Sequence, residues 1–361
     1  MKIAIILGTR PEIIKMSPVI RYCIDEDVDF FVIHTNQHYS YEMDQIFFEE
    51  LNLPNPEYNL QVGSGLHGEQ TGKMLSGIEK ILIQEKPDCV LVEGDTNTVL
   101  AGALAASKLH IKVGHVEAGL RSFDMKMPEE LNRIMVDHIS DYLFAPTESS
   151  KGYLLNEGIQ DSKIHVVGNT IVDATIQNLT IARERSNILN KFKLSSNAFF
   201  LLTMHRAENV DDPKRLAKIL DGLKLLANQY KTPIVFPIHP RTMNRIKEFG
   251  FEGQINQIHS LKIVEPIGYL DFLILESEAT LVLTDSGGVQ EETCILKIPC
   301  VTLRDNTERP ETVDAGTNVI VGCEVDSIVA GAEKMLNVKR DWENPFGNGK
   351  SAIQMVKILT H

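Results

Sequence analysis

The stretch LVLTDSGGVQEE, Leu281 to Glu292, joins three local signals. Leu281, Val282 and Leu283 form a short apolar run of the kind that makes a buried strand. Asp285, Ser286, Gly287 and Gly288 break that run with turn formers, and a helix can start at Val289. A strand, a Ser-Gly-Gly turn and a helix start gather free backbone N–H groups and the positive end of a helix dipole at one point. This arrangement suits an anion, and glycine lets a phosphate come close to the backbone. Glu291 and Glu292 follow about one turn later, where a carboxylate can accept from ribose hydroxyls. An ordinary capped helix fits these residues equally well.

Working outward, the same beat of apolar run, turn and helical pattern recurs along the chain. Strands are expected at 3–7, 31–34, 90–93, 113–117, 143–145 and 165–167. A second series is expected at 199–203, 234–237, 262–264, 281–284, 301–303 and 319–321. Alternation of this kind gives parallel sheets covered by helices on both faces, so the expected fold is α/β, with two doubly wound Rossmann-like domains. They are expected to span residues 1–168 and 169–349, joined near Gly168 and Asn169, with the last helix, 350–361, packing back on the first domain. A length of 361 residues agrees with two cores rather than one.

Composition narrows the function. A hydrophobic fraction of 43% and a charged fraction of 24% are those of a globular chain, and the net charge of −13 excludes a general nucleic-acid or acidic-membrane binder. Five cysteines without a CxxC pair fit reduced thiols in a cytoplasmic protein. His115 and Glu117, expected on one face of a strand, have the His-x-Glu spacing of a zinc deaminase. The second cysteine that such a site needs after Pro299-Cys300 is missing, so no metal is expected. The GNGKS of 347–351 lacks the first glycine of a phosphate-binding P-loop and follows no strand.

In open parallel sheets, ligands bind beyond the carboxyl ends of the strands, and several chemically capable residues fall there. Arg10, with Lys15 one turn along a helix begun by Pro11, suits a diphosphate or is simply a solvated basic pair. Asp95 caps a helix or points a carboxylate into the site. Glu129 lies in a helical first turn, which the dipole alone would favour. His205 and His239 end consecutive strands, each with an arginine close behind, and Arg309 follows the strand after the opening motif.

GTRPE, GDTNT, HVEAGLRS, PEELNR, HRAEN, TDSGGVQEE and RDNTERPE occur in the order and spacing of the non-hydrolysing UDP-N-acetylglucosamine 2-epimerases, which the chain resembles over nearly its whole length. The resemblance implies a GT-B-like pair of domains facing a central cleft. It implies interconversion of UDP-GlcNAc and UDP-ManNAc without a cofactor, by loss and re-addition of UDP through 2-acetamidoglucal, for surface glycan synthesis. By motif it makes Asp95, Glu117, Glu129 and His205 the acid–base residues. Arg10, Lys15, Arg309, Ser286, Gly287 and Gly288 would hold the diphosphate, Glu292 the ribose and Phe272 the uracil, with His239 lining the cleft. It further implies a homodimer and a second, activating UDP-GlcNAc touching Gln37 and His38. The stretch after HVEAGLRSFD is shorter than in bacterial members. A glycosyltransferase on the same architecture and a non-catalytic nucleotide-sugar sensor are the rival readings.

Overall fold

The computed structural model describes residues 1–37 and 41–360, with the backbone alone over 41–44. The chain divides into two compact units, Met1–Gln177 together with the segment from Phe346 onward, and Asn178–Pro345.

The first unit carries one parallel sheet of seven strands: β1 (Ile3–Leu7), β2 (Phe30–His34), β3 (Tyr58–Asn59), β4 (Cys89–Glu93), β5 (Lys112–Val116), β6 (Tyr142–Ala145) and β7 (Ile164–Val166). Their order in space is β3-β2-β1-β4-β5-β6-β7. The second unit carries β8 (Phe200–Thr203), β9 (Ile234–Pro237), β10 (Leu261–Val264), β11 (Leu281–Thr284), β12 (Cys300–Thr302) and β13 (Asn318–Ile320), ordered β10-β9-β8-β11-β12-β13. Both units are therefore doubly wound α/β folds. All residues of β1, β4 and β11 are buried, which is why these strands read as unbroken apolar runs rather than alternating ones.

Each sheet reverses its strand order once, between β1 and β4 and between β8 and β11. The loops that leave these four strands diverge there and open a crevice, where ligands of doubly wound sheets bind. They carry Gly8 to Arg10, Gly94 to Thr96, Met204 to Arg206 and Asp285 to Gly287. The helix Ser351–Thr360 packs against the helix Arg10–Asp25 through buried Ala352, Met355, Val356 and Leu359.

Two expectations change. The short edge strand β3 was not foreseen. The strand expected over 113–117 ends at Val116, because Glu117 takes a left-handed backbone with φ +66°. Side-chain alternation therefore does not set where Glu117 points.

Candidate active site

In the second unit, β8 and β11 are in register at Thr203 and Thr284, whose hydroxyls are 2.9 Å apart. The next residue, Asp285, is wholly buried, and its carboxylate accepts from the backbone N–H of His205 and Arg206 at 3.1 and 2.9 Å. It also accepts from the Asn209 amide at 3.1 Å. One carboxylate thus folds the loop after β8 against the helix that follows β11. Asp285 was not singled out from the sequence, although it stands inside the opening motif.

That clamp sets His205 and Ser286 in one cavity of about 240 Å³ with His239 and Phe272. The His205 and His239 ring centroids are 5.9 Å apart. Burial lowers the His205 pKa, aided by Arg206, His239 and Arg241, against the pull of Asp285 with its Oδ1 3.4 Å from Nδ1. His239 caps its helix, its Nδ1 accepting from the Arg241 N–H.

Ser286 is the N-cap residue of the helix Gly287–Leu296, but its side chain makes no capping bond. Gly287 and Gly288 have ordinary negative-φ backbones. A Cβ on Gly288 would meet nothing within 4 Å, and one on Gly287 only Glu308 Oε2 at 3.8 Å. Neither conformation nor packing demands glycine here, so the pair keeps the helix mouth open. Arg309, expected on an anion, has its Nε 2.6 Å from Glu291 Oε1, an ion pair that neutralises one of the two acids at this helix. Glu292 is nearly buried and accepts from the Tyr269 hydroxyl at 3.2 Å.

In the first unit, Asp95 and Glu129 line a polar pocket of about 310 Å³ with Gln37, His67, Gln70, Asn97 and Asn132. The helix cap beside it is Thr96, whose hydroxyl accepts from the Val99 N–H, so the capping reading of Asp95 is corrected. Asp95 is instead ion-paired to Arg133 at 2.5 Å, while the Asn132 amide donates to its backbone carbonyl at 2.8 Å. Glu129 is exposed, whereas its neighbour Glu130 is buried and accepts from the N–H groups of Ser122 and Phe123. Gln37 is buried, its side-chain carbonyl accepting from the Thr98 hydroxyl at 2.8 Å; His38 lies outside the described residues.

Glu117 is almost enclosed and accepts from the Lys15 ammonium at 2.6 Å and the Asn169 amide at 2.7 Å. Lys15 also lies 3.2 Å from Glu93, whose pKa is well above the usual carboxylate range because it is buried. Lys15 therefore lies between two carboxylates. Arg10 lays its guanidinium over the Phe47 ring at 5.2 Å. His115 has both ring nitrogens engaged, Nδ1 with Asp137 at 2.6 Å and Nε2 with the Gly94 carbonyl at 2.8 Å. Arg121 bridges Asp137 and Glu157 at 2.7 and 2.6 Å. Among the described residues, no group of three His, Cys, Asp or Glu side chains is gathered to hold a metal ion. None of their helices is long and apolar enough to cross a membrane.

A sequence profile of the UDP-N-acetylglucosamine 2-epimerases matches residues 23–360. The chain belongs to that family. It is an epimerase of the GT-B-like fold class, and its similarity to other members is full-length. It is 62% identical to a UDP-N-acetylglucosamine 2-epimerase of Methanocaldococcus jannaschii, covering 100% of this chain and 99% of the relative. The crystal structure of the M. jannaschii enzyme in complex with UDP-GlcNAc and UDP superposes with a TM-score of 0.87, at 62% identity over 100% of this chain and 99% of that one. The epimerase is also 43% identical to the UDP-2,3-diacetamido-2,3-dideoxy-D-glucuronate 2-epimerase of Pseudomonas aeruginosa, over 99% of both chains. Members thus differ in the sugar they act on.

Proposed function

We propose that this epimerase interconverts UDP-N-acetylglucosamine and UDP-N-acetylmannosamine by elimination and re-addition of UDP, supplying ManNAc-type sugars for surface glycans. A carboxylate takes the proton from sugar carbon 2. The electrons of that C–H bond form the C1=C2 bond of 2-acetamidoglucal, and UDP leaves with the pair of the C1–O bond. In return, a proton reaches carbon 2 from the opposite face as UDP adds back to carbon 1. No redox partner enters, so the balance closes with proton donors and acceptors alone.

The observation that carries this reading is Glu117, a nearly buried carboxylate held at φ +66° beyond β5 between Lys15 and Asn169. Elsewhere positive φ falls at helix C-caps such as Lys86 and Lys231, so what sets Glu117 apart is that costly backbone combined with a nearly buried, charge-paired carboxylate at a strand end. Asp95 and Glu129, sharing a pocket, and His205 complete the acid–base set. The UDP moiety is assigned to the cavity with Phe272 for the base and to the helix mouth at Ser286, Gly287 and Gly288 for the diphosphate, with Arg10 and Arg309 as its cations. Glu292 takes the ribose. Lys15 is assigned to Glu117 rather than to phosphate, which tunes the base instead of the leaving group.

The Pseudomonas relative sets a second reading, the same chemistry on a uronate. Beside the Asp95–Glu129 pocket, Arg133 is already paired with Asp95 and Glu130, which leaves the exposed Glu129 to repel a sugar carboxylate. The uncharged N-acetylhexosamine is favoured.

Incubation with UDP-GlcNAc in deuterium oxide tests the reading. Deuterium at carbon 2 with UDP-ManNAc accumulating is expected, and recovery of unlabelled UDP-GlcNAc alone would sink it. Asp95→Asn and Glu117→Gln should each lose about 10²–10⁴ in kcat while binding UDP normally. Near wild-type turnover in either variant removes that residue from the chemistry.

A further inference from the structure

The helix Tyr269–Glu278 packs on the helix Gly287–Leu296. Tyr269 and Glu276 are two turns apart, so they share a face of the first helix. Both reach the same target. The Tyr269 hydroxyl donates to Glu292 Oε1 at 3.2 Å, and Glu276, on the same helix face, is near enough for the two acids to interact.

Glu276 has no exposed surface, and neither of its oxygens has a donor among the described residues. An ionised carboxylate in that position would be desolvated, unpaired and pressed against a second acid, each of which disfavours charge. Burial and Glu292 accordingly push the Glu276 pKa well above the usual carboxylate range. The proton it retains is the only hydrogen its carboxyl group can offer, and Glu292 is the acceptor in reach. The mechanism of epimerisation makes no use of this buried acid. Two neighbouring buried carboxyl groups are also a poor way to stabilise a core, since an apolar residue of the same volume would fill the space without a desolvation cost.

We infer that Glu276 is a positioning residue: its carboxyl and the Tyr269 hydroxyl both donate to Glu292 and fix that carboxylate in the orientation that receives the ribose diol of a nucleoside diphosphate. The inference rests on the assignment of Glu292 to the ribose. A carboxylate held by two donors cannot swing away between turnovers, so the diol meets a preformed acceptor and binding loses less rotamer entropy. Replacing Glu276 by glutamine preserves an N–H donor in nearly the same place, whereas leucine preserves only volume.

The test is the ratio of the Kd for 2′,3′-dideoxy-UDP to that for UDP, measured by calorimetry on the full chain. Wild type should prefer UDP by about tenfold or more, the value of hydrogen bonds to a charged acceptor. Glu276→Leu should collapse that preference while the dideoxy-UDP affinity stays the same, which shows that the rest of the site is intact. Glu276→Gln should keep most of the preference. Tyr269→Phe, which removes the other donor with little change of shape, should lower it severalfold and reads the same clamp if the leucine variant does not fold. Glu292→Gln separates the two claims. If it leaves the preference whole, the ribose assignment fails. If it abolishes the preference while Glu276→Leu and Tyr269→Phe retain it, the positioning role is overturned.

Discussion

Glu12 illustrates how a single buried side chain couples this site to pH. It stands in the first turn of the helix Arg10–Asp25, with one oxygen accepting from the Gly8 N–H at 2.5 Å and the other from the Thr96 hydroxyl at 2.7 Å. It thereby ties the loop after β1 to the loop after β4, across the reversal point of the first sheet. Burial, opposed by those hydrogen bonds, raises its pKa from 4.5 to about 7. Between these values the folded chain holds a proton that the unfolded chain has released. Stability from this group is complete below the unfolded value and is lost as pH rises through the folded one. The loss approaches about 3 kcal/mol, from roughly 1.4 kcal/mol per pKa unit. Glu12→Gln cannot titrate, so wild type should weaken relative to it by that order between pH 4.5 and 8 in urea unfolding. A difference independent of pH would show that Glu12 is ionised throughout.

At the scale of elements, the tightest junction is the one between β1 and the helix Asn97–Lys108. Gly8 leaves β1 where an added Cβ would fall inside the hydroxyls of Thr98 and Thr35, which are themselves 2.8 Å apart. The Thr98 hydroxyl also donates to Gln37 beside the Asp95 pocket. Gly8→Ala should therefore cost about 1–3 kcal/mol, as overpacking of a filled site does, and lower the urea midpoint at unchanged m. An unaltered midpoint would mean that the threonines move aside freely. The sheets themselves were legible from the sequence because strands buried on both faces leave continuous apolar runs, as in Ile3–Leu7 and Leu281–Thr284. Tyr58–Asn59 was not, because two residues at a sheet edge carry no pattern. The site was legible wherever its residues follow a strand directly. Its pairings were not, because Lys15 meets Glu117 across 102 positions and Asp285 meets His205 across 80, separations over which spacing carries no information. Charges read as ligands for an anion, such as Lys15 and Arg309, turned out to have acidic neighbours, and no local rule announces that. His115 stands out in the sequence for its chemistry, yet it joins Arg121 in serving buried Asp137.

For the whole molecule, the chain enters the second unit through the helix Thr170–Arg185 and re-enters the first at Phe346. What fastens the returning segment is compact. The Asn169 N–H donates to the Phe346 carbonyl at 2.8 Å, and the buried Asp173 carboxylate accepts from the N–H groups of Ser351 and Ala352 at 3.2 and 3.1 Å. Asp173 thus caps the helix Ser351–Thr360 from another helix, satisfying orphan donors with a carboxylate at the positive end of the dipole. Loss of such a cap costs about 0.5–2 kcal/mol. Because the segment from Phe346 onward joins the first unit as a separate stretch of chain, that cost should appear as local release of the helix Ser351–Thr360 before global unfolding. Asp173→Ala should speed amide exchange over residues 351–360 and open the 346–350 loop to protease, with the strands of the second unit equally protected in both proteins. Asp173→Asn, which keeps one acceptor, should fall between. If exchange instead quickened uniformly through both units, Asp173 would support the fold as a whole rather than latch its final helix.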